Sequence, residues 1–291
     1  MNKSFTLIEI LVVIVVVGVL SAFILVDMGS IAASANIAKS QAFINSMNNS
    51  LLLARVSQWK LDEAVGSTTA NDSWGTNTGT LSGTAPLAQF QTSGCVSNNC
   101  LLFDGNDYVT CGSGTSLDIT VGSWGSWVYP VAWNTAQSSN YIIDQYQVWG
   151  LIVKTTGSDA GRVESFGIAG AITGDIVTTD KISLNTWSYL ISAYDGETLR
   201  VYINGIEKGT DTDPTGNLNS GGPFYVGQYP SAGYQFNGRI DDVRVYNQAL
   251  SPSEINQNYY IGVNKLFRNS GIGLNEFNKR LVELKSNLAK Q

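Results

Sequence analysis

Histidine is absent from the 291 residues. That absence removes the Ser-His-Asp triad, the Cys-His dyad and most catalytic zinc sites. Charge is sparse, with 17 basic and 23 acidic residues, and it is unevenly placed. Residues 59–260 hold 19 acidic against 8 basic side chains, whereas residues 261–291 hold 2 against 6. An acidic middle lacks the basic footprint that nucleic-acid binding needs, which excludes that class of partner. Cysteine is scarce too: Cys95, Cys100 and Cys111 are too few soft ligands for a zinc site. Cys95 and Cys100 bracket the short loop CVSNNC. Outside the cytoplasm a Cys95–Cys100 disulfide is expected, with Cys111 as the alternative partner; in a reducing compartment all three stay thiols. The middle is poor in Lys and Glu and rich in Gly, Ser, Thr, Asn and aromatics, a composition that suits an extracellular β-domain. The length allows one large domain or two smaller ones with a sizeable core.

What is present begins with KSFTLIEILVVIVVVGVLSAFILVD, an apolar run from Phe5 to Val26 interrupted by one charge, Glu9. As a helix it rises about 33 Å, enough to cross a bilayer. A secretory signal peptide is one reading, with Lys3 as its basic region and Ala33-Ser34-Ala35 as its cleavage site. A plain membrane anchor is another. Neither explains Glu9, because a carboxylate at membrane depth is costly and marks function by default. Past the run, Ile37, Ile44, Met47, Leu51 and Ala54 recur at helical spacing, with Gln41, Asn45, Asn48 and Asn49 opposite.

Lys3-Ser4-Phe5-Thr6-Leu7-Ile8-Glu9, the Val/Ile run and Gly18 resemble the start of the type IV pilin superfamily. The resemblance implies a leader, residues 1–4, removed by a prepilin peptidase between Ser4 and Phe5, and methylation of the new amine. The family usually has Gly before the cut; here the small residue is Ser4. Glu9 then stands fifth in the mature chain and pairs with the Phe5 amine of a neighbouring subunit. Removing one member of such a buried pair costs about 3–5 kcal/mol, so the pair acts as a register device for homo-oligomeric assembly. The implied assembly helix is residues 5–58, seated in the inner membrane before assembly and in an extracellular filament afterwards.

From Trp59 the period changes to two. Leu199, Val201 and Ile203 alternate with Arg200 and Tyr202; Trp187, Tyr189, Ile191 and Ala193 alternate with Ser188, Leu190, Ser192 and Tyr194. Asn204-Gly205 predicts a type I′ hairpin. Further strands are expected at 101–103, 107–111, 121–129, 140–146, 149–154, 162–168, 223–227 and 236–246, which together predict a sandwich or jelly roll. WKLDEAVGSTTANDSWGTNTGTL, LLFDGNDYV, SWGSWVYP, WSYLISAYDGETLRVYINGIEKG and YQFNGRIDDVRVYNQALSPSEI, in that order, resemble the laminin G-like/concanavalin A-like jelly rolls of bacterial surface proteins. The domain is placed at residues 59–260. Ser251-Pro252-Ser253-Glu254 then reads as a capping box starting a helix. Residues 261–291 form a helical tail with Phe277, Leu281, Leu284 and Leu288 on one stripe and Asn275 as N-cap. Its Lys279, Arg280, Lys285 and Lys290 are expected on a solvated face. The fold class is α+β.

Glycosidases of this fold use carboxyls about 5–5.5 Å apart, or about 6.5–9.5 Å apart for inversion. On one strand that means acids two or four residues apart, as in E-x-D-x-x-E, and no cluster of that pattern is found; Asp241 and Asp242 are expected on opposite faces. The reading is therefore not an enzyme but a pilin-like subunit displaying a jelly roll for adhesion to a carbohydrate or other surface ligand. The alternatives are a pseudopilin of a type II-like secretion system and a membrane-tethered carbohydrate-active protein. Trp133, Tyr146, Trp149, Tyr229 and Tyr234 are candidate sugar contacts, with core or rim packing the alternative for each; Trp127 and Trp187 are assigned to packing. Alternation places Asp241 inward with Val243 and Val245, and an inward carboxylate needs a partner. A calcium ion is expected there, with Asp241 as main ligand and Asp72, Asn77 and Asp104 as further ones. An Arg239–Asp241 ion pair is the alternative.

Overall fold

The structure, a computed structural model, describes residues 53–219, 221–228 and 233–288. The leader, the Ser4–Phe5 cleavage site, Glu9 and the expected helix up to residue 52 lie outside the described residues, as does Tyr229. The described part is one compact unit, Ala54–Gln291.

Sixteen strands form it: Arg55–Trp59 (β1), Thr69–Ala70 (β2), Gly79–Gly83 (β3), Gln89–Gln91 (β4), Cys100–Asp104 (β5), Asp107–Thr110 (β6), Gly122–Ala132 (β7), Ser139–Gln145 (β8), Trp149–Lys154 (β9), Arg162–Ala169 (β10), Ile172–Lys181 (β11), Ser188–Tyr194 (β12), Leu199–Ile203 (β13), Ile206–Asp211 (β14), Phe224–Val226 (β15) and Asn237–Tyr246 (β16). Sheet one runs β14-β13-β12-β7-β16-β5-β4, with β1 also on β16. Sheet two runs β11-β10-β9-β8-β15-β6-β3-β2. All the paired strands are antiparallel, which makes this the expected sandwich. All ten strand positions expected from the sequence are present. The ten-residue β11 escaped that reading, because it is an edge strand whose buried positions include Gly174 and Thr178 rather than a run of large apolar side chains. The expected helix to residue 58 gives way to β1 at Arg55.

Between the sheets, aromatic rings bridge the two layers. Trp59 of β1 stacks on Phe224 of β15 at 4.8 Å, and Trp124 of β7 meets Trp149 of β9 at 4.8 Å. Alternation sends Leu199, Val201 and Ile203 into this core, each worth roughly 1.5–3 kcal/mol on full burial. Ser165 and Ser192, facing each other across it, share a 2.6 Å hydrogen bond, which satisfies both hydroxyls where water is excluded.

Two helices follow, Pro252–Arg268 (α1) and Leu274–Leu288 (α2). The α1 start is the capping box read from sequence: Ser251 accepts from the Glu254 N–H, and the Glu254 carboxylate accepts from the Ser251 N–H. The division expected at residue 260 falls inside this helix. Both helices lie on the outer face of sheet one. Tyr259 stacks on Trp127 at 5.6 Å and Arg280 donates to the Trp187 carbonyl at 2.8 Å. Arg280 is only 4% exposed and also pairs with Glu276, so it anchors α2 rather than joining a solvated face. Asn275 is not the N-cap; α2 already starts at Leu274, and the Phe277 N–H reaches the Gly273 carbonyl.

Gly262 shows how closely α1 seats. A Cβ there would lie 2.3 Å from the Trp127 ring. In an exposed helix Gly→Ala gains about 1 kcal/mol; here overpacking reverses the sign, at a cost of about 1–3 kcal/mol. Thermal melting of Gly262→Ala is expected to show a lowered transition.

Candidate functional site

Among the described residues, sheet one is covered by helices and the outer face of sheet two is the broad surface left for a ligand. Its side chains follow from register. Ile143, Leu151 and Val226 point into the core, so their neighbours Asp144, Gly150 and Tyr225 point out. Cross-strand pairing puts Tyr225, Asp144, Gly150 and Phe166 in one row. On one flank Tyr108 meets Tyr225 edge-on at 6.2 Å; on the other, Tyr141 meets Phe166 at 6.3 Å and Tyr234 at 5.8 Å. Phe166 lies down over Gly150, where a Cβ would sit 2.7 Å from the ring.

The β8–β9 turn closes this surface. Gln145 accepts from the Val148 N–H at 2.8 Å, and Tyr146 and Gln147, the two central residues, have φ of 39° and 67°. That is the type I′ arrangement, normally made by Asn, Asp or Gly because other side chains strain at positive φ. Tyr146 is 48% exposed. Asp144, fully buried, accepts from the Gln147 N–H at 3.2 Å and so pins the turn. Burial pushes the Asp144 carboxyl up to about 7, and the single Gln147 donor offsets only part of that. Tyr225 is likewise raised, by burial and then by the nearby Tyr108 and Tyr146 phenols and Asp144.

Of the five aromatics singled out in the sequence, the structure sends Trp149 to the core and packs Trp133 against it, and brings Tyr146 and Tyr234 to this face. Tyr108, Tyr141, Phe166, Tyr225 and Asp144 were missed. Alternation within β8 and β9 marks an outward row, but only strand pairing shows which rows adjoin.

The expected calcium ligands are each engaged by protein groups. Asp72 is taken up by its own turn: its two carboxylate oxygens accept backbone N–H groups of Gln58, Trp74, Gly75 and Asn77. Burial alone would raise it, but those donors hold it below the usual range. The Asn77 amide donates to the Ser57 and Ser116 hydroxyls. Asp104 accepts from the Asn106 N–H in the β5–β6 turn, beside Asp107, whose carboxyl is pushed up to about 7 by burial and by Asp104. Asp241 is held elsewhere, by the Val96 and Ser97 N–H groups at 2.8 and 3.0 Å. Among the described residues no three His, Cys, Asp or Glu side chains converge as for a metal.

The inward placement of Asp241 fails because β16 carries a bulge between Asp241 and Arg244, with Asp242 at φ 50°. Ile240, Val243 and Val245 fill the core, and both aspartates lie outside it, not on opposite faces. Arg239 does not pair with Asp241; it donates to the Ser93 and Gly94 carbonyls and lies over the Tyr129 ring. Arg244 pairs with Asp242. The loop that reaches Asp241 is closed by the Cys95–Cys100 disulfide, Cα–Cα 5.4 Å, while Cys111 is a buried thiol.

The family described as the concanavalin A-like lectin/glucanases superfamily matches residues 103–256, more than half of the chain. The chain belongs to this superfamily. Residues 1–25 match the prokaryotic N-terminal methylation motif, so the protein joins a prepilin-type N-terminus to a concanavalin A-like domain. No curated protein matches the chain in sequence. Among solved structures, domain 4 of AbnA, an extracellular arabinanase from Geobacillus stearothermophilus in complex with arabinotriose, is 21% identical with a TM-score of 0.55, over 70% of this chain and 97% of that one. The binding domain of Paraclostridial Mosquitocidal Protein 1 is 16% identical at 0.57, over 74% and 53%. Trypanosoma rangeli sialidase is 12% identical at 0.51, over 70% and 32%. These likenesses show the concanavalin A-like fold.

Asp144 makes this face pH-sensitive. Its folded-state value, about 7, lies above the ordinary 3.8, so the native state binds the extra proton between those limits. Stability contributed by the neutral acid is present below about pH 4 and is lost as pH rises through about 7. Asp144→Asn removes this titration. Its melting temperature, measured against the parent protein, is expected to gain more at pH 8 than at pH 4.

Proposed function

We propose that this protein is a type IV pilin-like filament subunit whose concanavalin A-like domain is an outward-facing binding module for carbohydrate on a surface. The observation that carries the reading is the union, in one chain, of the N-terminal methylation motif with a sandwich whose first sheet is covered by α1 and α2 while its second carries the tyrosine-rich face. The reading is supported by a fold shared with a domain solved in complex with arabinotriose. Inner-membrane insertion, processing by a prepilin peptidase and growth of an extracellular filament follow from the N-terminal motif.

Binding rather than catalysis is favoured by the disposition of the acids. Asp241 is enclosed by the Val96–Ser97 backbone and Asp242 by Gln58 and Arg244. Asp144 is buried beneath its turn. Neither arrangement sets two carboxyls on either side of a sugar-sized gap, the geometry that glycoside hydrolysis requires.

Two outcomes test the assembly half. N-terminal sequencing of filament-associated protein is expected to begin at Phe5; a chain beginning at Asn36 would identify an ordinary signal peptide instead. Glu9→Ala is expected to leave membrane insertion and the β-domain intact while depleting the subunit from filaments, as seen by immuno-electron microscopy. Normal incorporation of that variant would remove the role given to Glu9.

A further inference from the structure

Resting on the carbohydrate-binding reading, we infer that Tyr146, Tyr225 and Tyr108 form the platform on which a sugar ring stacks, and that it takes neutral glycans. The β8–β9 turn supplies the argument. This protein makes a turn with both central residues at positive φ a second time, in the two-residue hairpin between β13 and β14, with Asn204 and Gly205 at φ 54° and 80°. Those are the residues the backbone prefers. Between β8 and β9 it places Tyr146 and Gln147 at 39° and 67° instead. The strained pair does nothing for the hairpin that Asn-Gly would not do better. Strain of this kind persists where the surroundings over-determine it, and it clusters at ligand sites.

The surroundings do over-determine it. Asp144 holds the Gln147 N–H from below, and Gln145 ties the turn to the neighbouring loop by donating to the Gly222 carbonyl at 2.7 Å. The Tyr146 ring rests on Gly222, where a Cβ would come within 2.9 Å of it. A glycine there leaves room for the ring to lie against the loop, while nearly half of the residue stays in water. Tyr225 is the next outward residue, on the strand paired with β8, and Tyr108 meets it edge-on. An exposed ring held rigid beside two half-buried phenols offers an apolar face and hydrogen-bonding rims together. A sugar ring presents the same two kinds of surface, and rigid tyrosines bind at low entropic cost.

Charge sets the class. The acid beside the three phenols is Asp144, which is buried. Further along the face, Lys154 is neutralised by Glu164, and Asp175 is raised by burial and then by Glu164. An acidic glycan would meet the exposed Asp175 here without a free cation among the groups named. Asp144 itself is a positioning residue, since its burial keeps it from the ligand.

The test uses the full-length chain in detergent on an array of neutral and acidic oligosaccharides, with arabinan and glucan fragments on one side and sialylated and uronate-containing chains on the other. The decisive variant is Tyr146→Asn/Gln147→Gly, which installs the preferred turn. It is expected to melt higher than the parent protein and to lose at least tenfold in affinity for the neutral glycans bound. Tyr225→Ala is expected to lose a similar factor, and Tyr146→Trp to retain binding. A parent protein that binds glycans while the turn variant binds them equally well would overturn the platform and leave the carbohydrate reading standing. Preference for acidic glycans would overturn the assigned class. No binding to any glycan would overturn the carbohydrate reading and the platform with it.

Discussion

Asp241 sits on the central strand β16 with no exposure to water, and much of the surrounding architecture serves to hold it there. Burial, and then the neighbouring Asp242, push its carboxyl well above the usual range. A buried acid left without donors would cost several kilocalories per mole; the Val96 and Ser97 N–H groups supply them. Those two amides are presented by the loop that the Cys95–Cys100 disulfide closes. The same loop then organises its other neighbours. The Gly94 carbonyl accepts from Trp187 Nε1, the Val96 carbonyl accepts from Asn269 at the end of α1, and Asn99 donates to the Glu63 carbonyl. The entry segment, the last strand, β12 and the helical tail thus meet at one clasp.

That clasp decides which face of the sandwich is free. By tying the end of α1 to the loop, it holds the helix against Trp127 and Tyr189, and the turn that follows brings α2 over Trp187 through Arg280. Along β12 and β7, sheet one is then buried on both sides. This accounts for β12, all of whose residues are buried although they alternate between core and helix. Among the described residues sheet two has no such cover, and its outer rows keep tyrosines, acids and small residues. The division of labour between the sheets follows from where the C-terminal helices lie, not from any difference in strand chemistry.

Much of this could be read from the chain. Asn204-Gly205 is at the expected turn, Ser251 and Glu254 form the expected box, and the ten expected strands are present, because each is a local signal with a local cause. The readings that failed depended on partners distant in sequence. Unbroken alternation would turn Asp241 inward, but the register with β7 shifts between Asp241 and Arg244, where the other edge of β16 passes from β5 to β1. Arg280 seemed solvated because its partner, the Trp187 carbonyl, is 93 residues away. Trp149 seemed as good a sugar contact as Tyr146; one fills the core and the other stands in solvent.

The sequence by itself determined the prepilin-type start, the sandwich class and the positions of turns and caps. Each rests on spacing within a few residues, where backbone geometry and hydrophobic period act directly. Tertiary structure alone decided which outward rows of tyrosine became neighbours, which acids were enclosed, and which sheet was left open. Those outcomes depend on the register between strands and on where the final helices settle, and both are set by long-range packing that no local period encodes.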